Sequence, residues 1–170
     1  MRARRRGALL LLLSLSLPWS VPVSAAPPAS LAGTPAPAFR LPGRSSEVAL
    51  DSLRGRVVLV DFWASWCGPC RQSFPWLAAL QKRLESRGLT VVAIDLDKSR
   101  PAADAFLARF ETPFTVAFDP SGGTAEAYGV RAMPTSVLLD RGGKVVALHR
   151  GFEAAHAAAW AATIEAECAR

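Results

Sequence analysis

Residues with metal-binding side chains are scarce in this sequence, which has three cysteines, two histidines and two methionines among 170 residues. A structural zinc site needs four ligands, usually as two closely spaced pairs. Cys67 and Cys70 form one such pair, but the third cysteine and both histidines lie far along the chain without close companions. Met133 is the only methionine after the first residue, so a soft-metal site is poorly supplied too. We predict no metal and no cofactor.

A hydrophobic run long enough to span a membrane is also missing. The run "ALLLLLSLSL" at residues 8–17 is well short of the roughly 20 residues that a spanning helix needs. It follows the arginine-rich "MRARRRG" and precedes small residues near Ala25, which is the pattern of a secretory signal. We predict a signal peptide over residues 1–26 and a periplasmic or otherwise extracytoplasmic location. The alternative is retention by an uncleaved N-terminal anchor.

Basic runs are absent from the body of the chain. Four of the 20 lysines and arginines lie within residues 1–6, which leaves 16 basic residues against 14 acidic ones. Proteins that bind nucleic acids present a strongly basic face. We therefore expect no nucleic-acid partner.

Proline is concentrated in one segment, "APPASLAGTPAPAFRLP" at residues 26–42. This density disfavours a helix and is typical of an extended linker. We predict a linker over residues 27–38, followed by one compact domain over residues 39–170.

Two apolar runs predict buried parallel strands on either side of a helix. "RVVLVDFWA" at 56–64 and "LTVVAIDLD" at 89–97 are continuous β-branched and aromatic segments. Leucines at helical spacing follow Cys70, and the glycine of "SRG" at 86–88 ends that helix. A strand, a helix and a parallel strand form a right-handed crossover, so the fold class is α/β. The remaining predicted elements are a helix at 100–111, a short strand in "FTVAFD", a brief helix in "TAEAYGV", a hairpin turning at 140–143 and a closing helix at 152–169.

The spacing of the cysteine pair favours thiol-disulfide exchange. Only Gly68 and Pro69 separate Cys67 from Cys70, so a disulfide between them would close too short a loop to stabilise the fold much. A strand would deliver Cys67 to a helix N-terminus, where free N–H groups favour the thiolate. Cys67 is then the exposed nucleophile, and Cys70 resolves the mixed disulfide. Pro69 suits a first helical turn, and Gly68 permits close approach of a partner backbone.

An acidic residue interrupts the first apolar strand. Asp61 lies six residues before Cys67, where burial would raise the pKa of an unpaired carboxyl. We predict a proton-transfer role for it. Trp66, beside Cys67, could shape the surface that meets a partner, whereas the neighbouring aromatics pack the core.

Three segments in order, "VDFWASWCGPC", "YGVRAMPTS" and "LLDRGGKVV", resemble the thioredoxin superfamily, and in particular its exported TlpA/ResA-like (DsbE-like) branch. The resemblance covers roughly residues 37–153. It implies a thioredoxin-like fold, with a central mixed sheet flanked by helices and with N-terminal extension strands. It also implies that Pro134 is cis and faces the cysteine pair, with Met133 and Thr135 flanking the substrate groove.

The resemblance also gives Asp61 a specific partner. In thioredoxins an aspartate at this place deprotonates the buried cysteine, which here is Cys70. The lysine that often accompanies it would fall near Ala93, so this chain departs from the cytoplasmic pattern and water could replace the lysine.

By resemblance, the chain is an extracytoplasmic thiol-disulfide oxidoreductase, most simply a reductase that receives electrons from a membrane-bound donor. Its partners would be client proteins, as in cytochrome c maturation or metal-site assembly. The alternatives are a disulfide oxidase or isomerase and a non-enzymatic copper-binding module. A peroxiredoxin is disfavoured because Ala64 stands where the peroxidatic motif has threonine or serine. We expect a monomer, in which Cys168 is a buried helix residue.

Overall fold

A computed structural model describes residues 31–170. The predicted signal peptide and the first residues of the predicted linker lie outside the described residues. Among residues 31–170, no helix is both long and apolar enough to cross a membrane.

The described chain forms an α/β fold with a five-stranded mixed sheet in the order β5-β4-β3-β6-β7 and a separate two-stranded sheet of β1 and β2. The strands are β1 (Arg40–Pro42), β2 (Glu47–Ala49), β3 (Val57–Trp63), β4 (Leu89–Asp95), β5 (Thr115–Phe118), β6 (Thr135–Leu139) and β7 (Val145–Arg150). The helices are α1 (Cys70–Leu84), α2 (Arg100–Leu107), α3 (Gly123–Ala127) and α4 (Ala154–Cys168).

Strand β3 is the central strand, as the sequence predicts. It runs parallel to β4 and antiparallel to β6, and all seven of its residues are buried. Side chains alternate between the two faces of a strand. Leu59 and Trp63 point into one core with α1, α2 and α4, whereas Val60 and Phe62 point into the other, against α3 and the N-terminal segment. Helices thus cover both faces, which is why β3 is apolar almost throughout.

The predicted elements are present, but two helices end earlier than predicted: the brief helix in "TAEAYGV" at 124–130 ends at Ala127, and α2 is the second case. The helix expected over 100–111 ends at Leu107, because the N–H groups of Arg109 and Phe110 bond to carbonyls three residues back. Phe110 nevertheless packs against the core beside Phe74.

Part of the predicted linker is bonded to the β6–β7 hairpin. The N–H of Gly33 donates to the carbonyl of Val145 at 2.8 Å, and the N–H of Ala36 donates to that of Gly143 at 3.0 Å. Leu31 packs against the second core. The domain boundary at residue 39 stays a prediction. Residues 31–36, which precede it, already contact the hairpin and the core.

Candidate active site

Cys67 and Cys70 form a disulfide in the loop between β3 and α1. The N–H of Cys70, at the start of the helix, donates to Sγ of Cys67 at 3.2 Å. An N–H donor and the positive end of the helix dipole both stabilise negative charge on that sulfur once the bond is reduced. The structure confirms the prediction that the cysteine pair lies at a helix N-terminus.

The sulfurs are less accessible than expected. Cys67 is 4% exposed and Cys70 is fully buried, so Cys67 is the more accessible of the two but is not the openly exposed residue that the sequence suggested. The reason is that Cys67 packs into the same core as Trp63 and Phe74. Any group that reacts with Cys67 must therefore approach it closely and in a defined direction.

Asp61 lies on the face of β3 that points toward the cysteine pair. Its neighbours at the same face, Leu59 and Trp63, belong to the core that contains both cysteines. Asp61 is 1% exposed, and burial raises the pKa of its carboxyl to about 7, partly offset by a hydrogen bond from Ser136. The predicted upward direction is confirmed. Ala93 is its register partner on β4, so no cation replaces the absent lysine there.

The two carboxyl oxygens of Asp61 differ. Oδ1 accepts a 2.5 Å hydrogen bond from the hydroxyl of Ser136, which stands opposite on β6. Oδ2 is buried and has no hydrogen-bond partner among the described residues. Oδ2 is therefore the oxygen left free to take up a proton.

Replacing Ser136 by alanine is expected to raise the pKa of Asp61 above 7, by about one unit or more, because a hydrogen bond to a carboxylate stabilises the charged form. Carbon-13 NMR of the aspartate carboxyl signals in the oxidised protein, followed from pH 5 to pH 10, measures this midpoint. Ser52→Ala is the matched control, because the Ser52 hydroxyl bonds to the carbonyl of Ala49 instead. An unchanged midpoint in Ser136→Ala would contradict the expectation.

The Met133–Pro134 peptide bond is cis, as the resemblance implied. Met133 packs against the core that holds both cysteines. The carbonyl of Pro134 accepts a 2.7 Å bond from the N–H of Gly151, and the hydroxyl of Thr135 donates to the carbonyl of Ala132. Neither the N–H nor the C=O of Met133 is bonded among the described residues, so both are available to an added strand.

Trp66 is the exposed large hydrophobic residue beside the disulfide. Its side chain is 67% exposed, and it is the only large hydrophobic residue so exposed within residues 31–170. Trp63, three residues earlier, is fully buried and packs edge-on against Phe74 at 4.8 Å. The division between one surface tryptophan and one core tryptophan agrees with the sequence prediction.

An acidic residue that sequence analysis missed, Asp97, anchors the loop before Cys67. Asp97 accepts hydrogen bonds from the N–H of Ser65 at 2.7 Å and from its hydroxyl at 3.0 Å, just before Trp66. Asp95 is buried next to it, and burial together with the Asp97 carboxyl raises its pKa to about 8. The two aspartates at the end of "AIDLD" were visible in the sequence, but no nearby residue indicated that one of them bonds to Ser65, 32 residues earlier.

The two histidines and the third cysteine make other contacts. His149 stacks on Trp160, and His156 pairs with Glu153. Cys168 is a free, buried thiol at the end of α4, and burial raises its pKa. Within residues 31–170, no three histidine, cysteine or acidic side chains come together as a metal site.

Comparison with known proteins points to one kind of chemistry. The profile of the Redoxin family matches residues 31–163. Thiol-disulfide oxidoreductase ResA of Bacillus subtilis is 33% identical over 120 residues, which are 70% of this chain and 67% of that protein. ResA of Bacillus thuringiensis subsp. konkukian is 33% identical over 100 residues, so the match spans only 58% of that relative's length.

Solved structures show the same fold. A crystal structure assigned as thiol:disulfide interchange protein DsbE from Chlorobium tepidum superimposes with a TM-score of 0.78 at 50% identity, covering 79% of this chain and 95% of that one. The exposed lipoprotein thioredoxin Etrx1 of Streptococcus pneumoniae superimposes with a TM-score of 0.67 at 28% identity, covering 76% and 99%. The fold is thioredoxin-like.

Proposed function

The chain belongs to the Redoxin family and has ResA and DsbE proteins among its relatives, and from this membership we propose that it is a thiol-disulfide oxidoreductase that reduces disulfides in client proteins. The observation that carries the proposal is the Cys67–Cys70 disulfide at the N-terminus of α1, in which Cys67 is the more exposed of the two residues.

In the first step Cys67 is the nucleophile. Its thiolate attacks one sulfur of a client disulfide, so that a bond from Cys67 to the client forms and the client's own S–S bond breaks. The displaced client sulfur leaves as a thiolate and takes a proton from solvent. The N–H of Cys70 and the helix dipole support this step by stabilising the attacking thiolate.

In the second step Cys70 resolves the mixed disulfide. Its thiol passes a proton to the carboxylate of Asp61, and its sulfur attacks Sγ of Cys67. The remaining client sulfur leaves, and the pair returns to the disulfide seen in the structure. Two electrons have moved from the cysteine pair to the client. A carboxyl with a pKa of about 7 suits this role, because it can both accept and release a proton near neutral pH.

The client binds beside the cis-proline turn. Met133 offers an unbonded N–H and C=O, to which an extended client segment can add as a strand. Pro134 and Thr135 hold that turn, and Trp66 supplies apolar contact area at the other side of the disulfide. Gly68 and Pro69 lie between the two cysteines on the surface that meets the client. Gly68 has no side chain to obstruct the client, and Pro69 has helical backbone angles at the N-terminus of α1.

The location and the partners complete the proposal. The signal-like pattern of residues 1–26 supports an extracytoplasmic site of action, where oxidised client proteins occur. A membrane-bound donor then returns electrons to the Cys67–Cys70 disulfide. The chain acts as a monomer with client proteins in cytochrome c maturation or metal-site assembly.

The equilibrium potential of the cysteine pair tests the direction of electron flow. The protein is equilibrated in glutathione and dithiothreitol buffers, and the fraction of disulfide is read by tryptophan fluorescence, with Cys67→Ser as the control that has no pair to titrate. A reductase is expected to have a potential near the thioredoxin end of the scale, roughly −270 mV. A value near roughly −120 mV would overturn reduction in favour of disulfide formation.

A further inference from the structure

Four arginines in the described chain have side chains without any hydrogen bond or ion pair. Every other arginine within residues 31–170 donates to a carboxylate, a hydroxyl or a backbone carbonyl, including Arg40, Arg56, Arg83 and Arg141. The four unpartnered ones are Arg71, Arg109, Arg131 and Arg150. They are exposed, and three of them lie at one edge of the sheet.

That edge is the one that carries the disulfide. Arg71 follows Cys70 in the first turn of α1, and its Nη2 lies 4.0 Å from the position that a Cβ on Gly68 would occupy. Arg131 precedes the cis-proline turn by three residues. Arg150 ends β7 as the register partner of Thr135. The three arginines therefore lie at the end of the sheet where the proposed client segment binds, and we name them the arginine rim.

Acidic side chains at the same edge do not pair with the arginine rim. Asp97 is buried and holds Ser65. Asp119 is buried and accepts N–H groups at the start of α3. Glu153 pairs with His156. None of these carboxylates forms an ion pair with Arg71, Arg131 or Arg150, so the three guanidinium groups have no paired carboxylate among the described residues.

We propose that the client segment attacked by Cys67 carries acidic side chains next to its disulfide, and that the arginine rim selects it. This inference rests on the proposed function, since it names the substrate class for the same site. A polypeptide is the occupant favoured by the surroundings, because the unbonded backbone of Met133 and the exposed ring of Trp66 lie at the same end of the sheet as the arginines. Complementary charge acts on partner choice and on the association rate.

The test compares three synthetic peptides that share one disulfide ring and differ only in flanking residues, which are glutamate, serine or lysine. The full chain, reduced beforehand, is mixed with each peptide, and its oxidation is followed by stopped-flow fluorescence. At low salt the glutamate peptide is expected to react about tenfold faster than the lysine peptide, with the serine peptide between them. In 1 M salt the three rates should converge, because the screening length falls to about 3 Å.

Variants assign the preference to the arginine rim. Replacing Arg71, Arg131 and Arg150 together by serine should bring the rate ratio between the glutamate and lysine peptides close to one, and Arg131→Glu alone should lower it. Arg109→Ser is the matched control: Arg109 is also exposed and unpartnered, but it follows the end of α2 that lies away from the disulfide edge. The ratio should be unchanged in that variant.

The outcomes separate the two proposals. If no peptide oxidises the protein, the proposed function fails. If all three peptides react at the same rate at low salt, the function stands and the acidic-client inference is overturned. The inference also falls if the triple variant keeps the peptide preference but loses binding to vesicles that contain phosphatidylglycerol, because the arginines would then serve a membrane surface.

Discussion

Reduction of the serine-flanked peptide is expected to fall to the uncatalysed background when Cys67 is replaced by serine. The hydroxyl cannot take part in thiol-disulfide exchange, and Cys70 is fully buried, so no second sulfur can meet the client. Cys70→Ser should behave differently: Cys67 can still attack, but nothing resolves the product, and a mixed disulfide accumulates. Stopped-flow fluorescence measures the rate, and mass spectrometry without reductant detects the adduct.

Cys168→Ser is the matched control for these cysteine variants. Its thiol is buried at the end of α4, whose other end lies nearest the disulfide edge, so its loss should leave the rate of peptide reduction unchanged. Substantial activity in Cys67→Ser, or a client adduct on Cys70 in that variant, would reverse the assignment of nucleophile and resolving residue.

Asp61→Asn is expected to remove a large pH dependence of the free energy of unfolding. In the folded protein burial raises the pKa of Asp61 from 3.8 to about 7, so between these values the folded state binds more protons than the unfolded state. The contribution of Asp61 to the free energy of unfolding therefore decreases as pH rises between these two pKa values, by about 1.4 kcal/mol per pH unit. Above pH 7 this contribution is about 4 kcal/mol lower than it is below the pKa of the unfolded state. The neutral asparagine carries no such penalty.

Urea unfolding of the oxidised protein at several pH values measures the effect. The difference in free energy of unfolding between Asp61→Asn and the parent should grow with pH from about 4 to 7 and then level off. Taking the difference cancels every other titrating group. Asp51→Asn is the control, because this carboxylate is exposed and pairs only at 3.5 Å with Arg40. A difference that stays flat between pH 4 and pH 8 would show that Asp61 titrates normally.

Local patterns were sufficient to predict most of the fold. The uninterrupted apolar run of β3, the proline and glycine signals around α1 and the glycine pair of the β6–β7 turn each predict one element from its own residues. Each of these signals works because it acts within a few residues along the chain. The predicted end of α2 failed for the same reason: Phe110 packs in the core without being helical, and its apolar character misled the helical pattern.

The site was only partly predictable because several of its contacts join distant positions. The cysteine pair and Asp61 could be found from one short segment, but the hydroxyl that bonds to Asp61 comes from Ser136, 75 residues away. Ser65 and Asp97 meet only through the pairing of β3 with β4. Arg150 lies beside the cis-proline turn because the register of the β6–β7 hairpin pairs it with Thr135. Strand order and register determine all three contacts, and a short sequence motif predicts neither of them.

The hydrogen bonds of residues 33–36 lie at one end of the domain, which we call its base, and the disulfide lies at the opposite end. They join the chain to the turn of the β6–β7 hairpin, whereas Cys67 and Pro134 lie at the other end of these strands. Five strand residues of β6 span roughly 17 Å between the two ends. If the residues before 31 anchored the domain to a surface, they would hold it by its base. The disulfide would then point outward, where a folded client can reach it without passing the anchor.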